Sequence, residues 1–201
     1  MAYSATACAN TVVITAQRIA RNPLWLRPPT QPQHVLHRQV LHGNTIEQEN
    51  PSMKIRKAEE KDAEQLWELM KDLAIFERYL DSFAITPEIV RESGFRKSPP
   101  DFHSIVAEVD GALAGMLVYY FLPYTAQGRP AIYLKELFIA KHHRGKSIGE
   151  KLMRALNDEA RKHGCTTIKW TVAPWNEPGI NFYKKLGARE NTDWLNFEWS
   201  I

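Results

Sequence analysis

Residues 133–152 read YLKELFIAKHHRGKSIGEKL, and three patterns meet in this stretch. Residues 132–139 are almost continuously apolar, which predicts a strand buried on both faces near the middle of a sheet. The turn RGKSIG follows, basic and glycine-bearing. Beyond it Ile148, Leu152, Ala155, Leu156 and Ala160 recur on one stripe, predicting a helix from Ser147 to about His163 with Gly164 as its stop signal. A strand running through such a turn into a helix leaves free backbone N–H groups at the first turn, here residues 148–150 (Ile148, Gly149, Glu150). These amides, the helix dipole, Arg144 and Lys146 together form a site for a pyrophosphate. Gly145 and Gly149 let an anion approach the backbone. The string is neither GxxxxGK[ST] nor GxGxxG, so Walker-type and dinucleotide fingerprints are absent.

Working outward, strand and helix signals alternate from Met53 on. Residues 54–57 predict a short strand, and Ala63, Leu66, Trp67, Met70, Leu73 and Ala74 fall at helical spacing. Thr86-Pro87 opens a short second helix to about Ser93. Residues 103–109 and 113–121, joined by Asp110-Gly111, read as a hairpin. After the central strand and its helix, residues 167–172 predict a strand with Ile168, Trp170 and Val172 on one face. A last helix starts at Asn176 or Glu177 and stops at Gly187, and residues 194–200 are expected to close the sheet. The class is α/β.

The 201 residues are 44% hydrophobic and 24% charged, the composition of a globular chain and not of a collagen-like or wholly disordered one. The longest mostly apolar run, Ala112 to Leu122, is 11 residues, short of the roughly 20 a spanning helix needs, so no membrane partner is expected. Two distant cysteines, Cys8 and Cys165, argue against a disulfide framework and against a metal site. Four of the 26 basic and two of the 23 acidic residues precede Met53, so residues 53–201 carry a net charge of only +1 and give no sign of a nucleic-acid surface. Residues 1–46 hold no Asp or Glu. Residues 1–52 therefore read as a disordered leader or a mitochondrial transit peptide, and 53–201 as the folded domain. The protein is expected to be cytoplasmic, or mitochondrial if the leader is a transit peptide.

RGKSIG resembles the R/QxxGxG/A motif of the GNAT acetyltransferases, with Arg144 first, Gly149 last and Ser147 in place of the middle glycine. WNEPGINFYKKLGA, residues 175–188, is similar to a segment of the diamine (spermidine/spermine) acetyltransferases and of the thialysine acetyltransferases. The stretch ending at Glu108 and the strand end at Tyr119–Phe121 are similar too, so the resemblance spans essentially residues 53–201. It implies a GNAT fold: a mixed, mostly antiparallel sheet whose central parallel strands splay apart, with flanking helices. It also implies acetyl-CoA as co-substrate, no metal, a small-molecule amine acceptor and a homodimer.

The resemblance assigns Tyr183 as the general acid that protonates the coenzyme A sulfur; a phenol of pKa about 10 holds its proton at neutral pH. It implies that the backbone of Leu137, Phe138 and Ile139 bonds the pantetheine arm, with Asn176 touching the coenzyme. Arg144, Gly145, Lys146, Ser147, Ile148, Gly149 and Glu150 would form the phosphate loop. Phe76 and Glu77 match positions near the acceptor amine. Where the relatives read Leu-Glu-Asp this chain has Leu134, Lys135, Glu136: one carboxylate is replaced by an ammonium. Strand alternation turns Lys135 and Glu136 to opposite faces unless a bulge re-aims them, and either Glu136 or Glu77 is the candidate base. Tyr124 and Ala126 stand where the diamine enzymes carry an aspartate and a tryptophan, respectively. An acceptor with both amine and carboxylate, its acid paired with Lys135, is thus expected to outdo a polyamine. The competing readings are a coenzyme-A-binding or protein-interaction module with weakened catalysis, which Ser147 and Lys135 favour, and a peptide or protein N-acetyltransferase.

Overall fold

A computed structural model describes residues 52–123, 125–193 and 195–199. The leader, and with it the transit-peptide reading, lies outside the described residues, as do Tyr124, Trp194 and Ser200. The elements run β1 (Met53–Lys57), α1 (Ala63–Glu77), α2 (Pro87–Arg91), β2 (His103–Val109), β3 (Ala112–Leu122), β4 (Ala131–Ile139), α3 (Ile148–Lys162), β5 (Ile168–Lys169) and α4 (Glu177–Lys185). They build one five-stranded sheet in the order β1-β2-β3-β4-β5, antiparallel except for the parallel pair β4–β5.

Alternation along the strands divides the apolar residues between two cores. Val106, Met116, Val118 and Phe138 meet Leu66, Met70 and Leu73 of α1 on one face. Ile105, Leu117, Ile132, Leu134 and Leu137 meet Leu152 and Leu156 of α3 and Tyr183 of α4 on the other. The hairpin at Asp110-Gly111 has the positive φ values, 51° and 83°, that its sequence predicts. Thr86 caps α2 by accepting from the Ile89 N–H, and Pro87 stands first in the helix, as read. One π-helical turn, Glu92–Arg96, then extends α2 beyond the expected end.

Two expectations fail at the far edge. The strand expected over 167–172 is confined to Ile168–Lys169, because β5 pairs with β4 only through Ile132↔Ile168 and Tyr133↔Lys169 before the two diverge. Trp170 and Val172 still pack on the α3-side core, so the face was read correctly and the ladder was not. Residues 195–199 form no strand: Leu195, Phe197 and Trp199 are 80%, 91% and 93% exposed. Their alternation has the strand period, but no ladder is offered to it among the described residues.

β3 and β4 approach closely at Gly115, where a Cβ would lie 2.7 Å from Ile139 Cδ1 and 2.9 Å from the Phe138 carbonyl oxygen. The backbone oxygen cannot move aside without breaking the ladder. Gly115→Ala is therefore expected to lower the unfolding free energy by about 1–3 kcal/mol, the usual cost of overpacking, measured by urea denaturation. An unchanged midpoint would show that the ladder yields here.

Candidate active site

Beyond Tyr133, β4 has a ladder partner on one side only. The Ala140 N–H bonds the Ala114 carbonyl, so by alternation the Phe138 N–H also points to β3, while those of Leu137 and Ile139 point to the edge β5 has left. Of the three backbone groups expected to bond a pantetheine arm, two face the opening. Phe138 turns its N–H to β3 and packs its ring in the α1-side core.

The opening ends at the basic turn. Arg144 Nε donates to the Ile139 carbonyl at 2.9 Å, and its guanidinium lies 5.5 Å from the Phe138 ring and 5.7 Å from that of Phe76. Gly145 and Ser147 follow with φ of 78° and 57°. Ser147 thus holds a left-handed conformation at the cap of α3, which favours the glycine seen in the resembling motif, and its side chain caps nothing. Lys146 is exposed, Ile148 is buried and offers only its backbone, and Glu150 pairs with Arg154 at 2.7 Å. Gly149 is buried in the first turn, so a basic, glycine-bearing turn runs into a helix start, an arrangement that suits an anion.

β4 also settles the direction of its two charged residues. Val118 pairs with Glu136 and Tyr119 with Leu134, leaving Lys135 as an extra residue in a bulge. Leu134 and Leu137 therefore both face the α3-side core. The simple alternation that would part Lys135 from Glu136 does not hold here. Glu136 turns toward α1, where Lys135 acts on it and on Glu77, the last residue of α1.

Glu77 and Glu136 are half-buried, each with one carboxyl oxygen shut off from solvent. Burial, with a smaller contribution from Glu136, raises Glu77 to about 8, opposed by Lys135. Burial raises Glu136 to about 7, again opposed by Lys135. Glu77 Oε1 and Glu136 Oε2 have no hydrogen-bond partner among the described residues. Tyr183, only 4% exposed, packs on Trp170 with ring centroids 4.9 Å apart, and its hydroxyl too is buried without a partner. Burial and the nearby Glu77 push the phenol well above its ordinary pKa, so it keeps its proton. Its ring belongs to the core while its hydroxyl has no partner there.

Asn176 is 1% exposed and caps α4, its Oδ1 accepting from the Gly179 N–H at 3.1 Å. A Cβ at residue 179 would stand 2.7 Å from the Asn176 amide, which accounts for glycine there. Phe76 stacks at 6.0 Å on Trp175, a 57% exposed residue that the sequence reading missed. Trp175 lay in the quoted 175–188 segment, but nothing in the sequence alone aimed it at α1. No group of His, Cys, Asp and Glu among the described residues suits a metal ion, and no described helix is long and apolar enough to cross a membrane.

Carboxyls that ionise near 4.5 when unfolded but near 7–8 when folded leave the unfolded state more ionised between those values. Their contribution to stability is complete below pH 4.5 and is lost as pH rises through 7–8. The Tm is expected to fall between pH 5 and 8.5, and to fall less in Glu136→Gln. His103, whose pKa burial lowers, acts in the opposite sense in both proteins, so the difference between the two curves isolates the carboxyl. Parallel curves would mean that Glu136 is not raised.

Residues 63–188 match the model of the acetyltransferase (GNAT) family. Thialysine N-epsilon-acetyltransferase of Mus musculus is 34% identical over 157 residues, covering 73% of this chain and 91% of that protein. Spermidine/spermine N(1)-acetyltransferase-like protein 1 of Homo sapiens is 29% identical over 140 residues, covering 67% of this chain and 20% of that protein. An aminoglycoside N-acetyltransferase solved in complex with CoA superposes with a TM-score of 0.63 at 18% identity, covering 77% of this chain and 99% of that one. The match over residues 63–188 and the 34% identity to a thialysine acetyltransferase place the chain in the GNAT family of acetyl-CoA-dependent N-acetyltransferases.

Proposed function

We propose that this enzyme passes the acetyl group directly from acetyl-CoA to the primary amine of a small molecule that also carries an acid, such as a lysine- or thialysine-like amino acid. The observation that carries the reading is the convergence of three buried, unpartnered oxygens, those of Glu77, Glu136 and Tyr183, beside the free edge of β4. The cradle at Ser147–Glu150, with Arg144 and Lys146, suits the pyrophosphate of acetyl-CoA, and the Leu137 and Ile139 N–H groups suit its pantetheine arm. That co-substrate supplies the activated acyl group, and the chain does the rest.

An alkylammonium of pKa about 10.4 must lose a proton before its nitrogen can attack. Glu136 or Glu77, poised near neutrality, takes that proton once ionised. The strand N–H groups stabilise the charge that develops on the carbonyl oxygen. Tyr183 gives its phenolic proton to the departing sulfur. Lys135 decides between acceptors: a second ammonium about 4 Å away is repelled by about 4 kcal/mol at an effective dielectric of 20, less with salt. A polyamine is thereby disfavoured. The exposed Leu195, Phe197 and Trp199 support a homodimer that covers them.

Coenzyme A thiol release against polyamines, lysine analogues, aminosugars and N-terminal peptides tests the reading directly. Tyr183→Phe keeps the ring and removes the proton, so kcat should fall about 10²–10⁴-fold while the Kd of acetyl-CoA holds; unchanged turnover would return Tyr183 to a packing role. Lys135→Glu should lower the preference for a lysine analogue over spermidine, read as the ratio of kcat/KM, at least about tenfold, roughly 1.4 kcal/mol. Spermidine as the best acceptor of the wild type, or a ratio untouched by the substitution, would overturn the acceptor assignment.

A further inference from the structure

Glu136 also forms the inner end of a cavity of about 220 Å³ between the α2 segment and strands β3 and β4. At about 30 Å³ per heavy atom this holds roughly seven. Its walls are uncharged and mostly apolar, with Ile85, Ile89, Phe102 and Val118 beside the hydroxyl-bearing Ser93 and Tyr120. They are also fixed. Trp67 Nε1 donates to the Ile85 carbonyl at 2.8 Å, and Gly94 in the π-helical turn lies against Phe102, where a Cβ would come within 2.7 Å of the ring. The Asp101 N–H bonds the Ser93 carbonyl at 2.8 Å, setting Asp101 at the outer end. There Asp101 Oδ1 meets Lys97 Nζ at 2.6 Å, both side chains about half exposed. The cavity thus offers a buried carboxyl oxygen without a partner, an uncharged sleeve and an ion pair at the mouth.

We propose that this cavity holds the stem of the acceptor: an uncharged chain of about four or five atoms runs along the apolar walls, its terminal amine reaches Glu136, and a zwitterionic α-amino-acid head rests on the Lys97–Asp101 pair. This rests on the acetyl-transfer reading above and deepens it. Glu136 is shared by the cavity and the carboxyl pair, so a chain lying in the cavity brings its end to the acid that acts on Glu77, which in turn acts on Tyr183. A second ammonium part-way along the chain would be stripped of water against Ile85, Phe102 and Val118 with no acid to meet it. At the mouth, the head's carboxylate and ammonium meet opposite charges in Lys97 and Asp101. The acid therefore lies at the Lys97 end and not against Lys135, whose part is to exclude polycations.

Two substitutions at the mouth test this without disturbing the core. Ile89→Trp, at a residue already 47% exposed, fills the sleeve, and Asp101→Asn removes one charge of the pair. Thialysine and n-butylamine are the probes. Their KM and kcat are read by thiol release, and thialysine binding to the protein saturated with unacetylated coenzyme A by calorimetry. Ile89→Trp should weaken thialysine, in KM and in calorimetric Kd, at least tenfold while the Kd of coenzyme A holds. Asp101→Asn should raise the KM of thialysine several-fold more than that of n-butylamine. If the wild type acetylates thialysine and Ile89→Trp leaves both its KM and its Kd unchanged, the cavity proposal is overturned and acetyl transfer stands. If no amine is acetylated but thialysine binding is still lost in Ile89→Trp, the cavity stands as a binding site and the acetyl-transfer reading falls. Equal effects of Asp101→Asn on the two amines would remove the head from the mouth.

Discussion

The ladder between β4 and β5 stops after two residue pairs, and the rest of the site depends on that stop. A backbone N–H shut away from water without a partner is costly, so an edge opened inside a sheet persists only where something else is meant to bond it. Divergence of the strands exposes the amides of Leu137 and Ile139. At the end of β4 the Ile139 carbonyl accepts from Arg144, and the Tyr183 hydroxyl is buried without a partner. The sheet bears this because its other ladders are long: β3 joins β2 and β4 along most of its length. Stability is concentrated on the β1–β4 side, and the opening is confined to the margin.

A second tension lies at the acidic end of the opening. Burying Glu77 beside Glu136 destabilises the folded chain at neutral pH, and Lys135 offsets only part of it. Other ion pairs here have better partners. Asp62, also buried, is held below its ordinary pKa by bonds from Arg56 and the Glu59 N–H, and Arg56 reaches Glu108 as well, tying β1 to β2 and to the start of α1. Asp62 and Glu159, the two most buried acids among the described residues, are bonded and tie elements together; the half-buried Glu77 and Glu136 each carry an unbonded oxygen. Bonding separates the two kinds of acid more sharply than burial does.

Much of this was legible in the residues. The α3 stripe, the Asp110-Gly111 turn, the cap at Thr86-Pro87 and the stops at Gly164 and Gly187 are local signals, and local geometry followed them. What local signals could not carry was pairing. Residues 195–199 alternate as a strand does and lie exposed, and residues 167–172 alternate correctly yet lose their ladder to the divergence. The bulge at Lys135 left a trace in two adjacent charged residues between two buried leucines, but only the β3 register shows that one is extra. The Phe76, Arg144 and Trp175 stack joins three distant segments, and nothing short of the fold could bring them together.

The bulge has an evolutionary consequence. A residue supernumerary to the ladder owes nothing to cross-strand packing, so its identity is free of the volume constraints that bind Leu134 and Leu137 on either side. Inheritance can exchange acid for base at position 135, and under the proposed function so re-tune which amines are welcome, without a compensating change of volume in either core. The exchange is not free of cost to folding, because Lys135 also offsets part of the burial of Glu77 and Glu136. A lineage sharing this scaffold could diversify its acceptors one codon at a time.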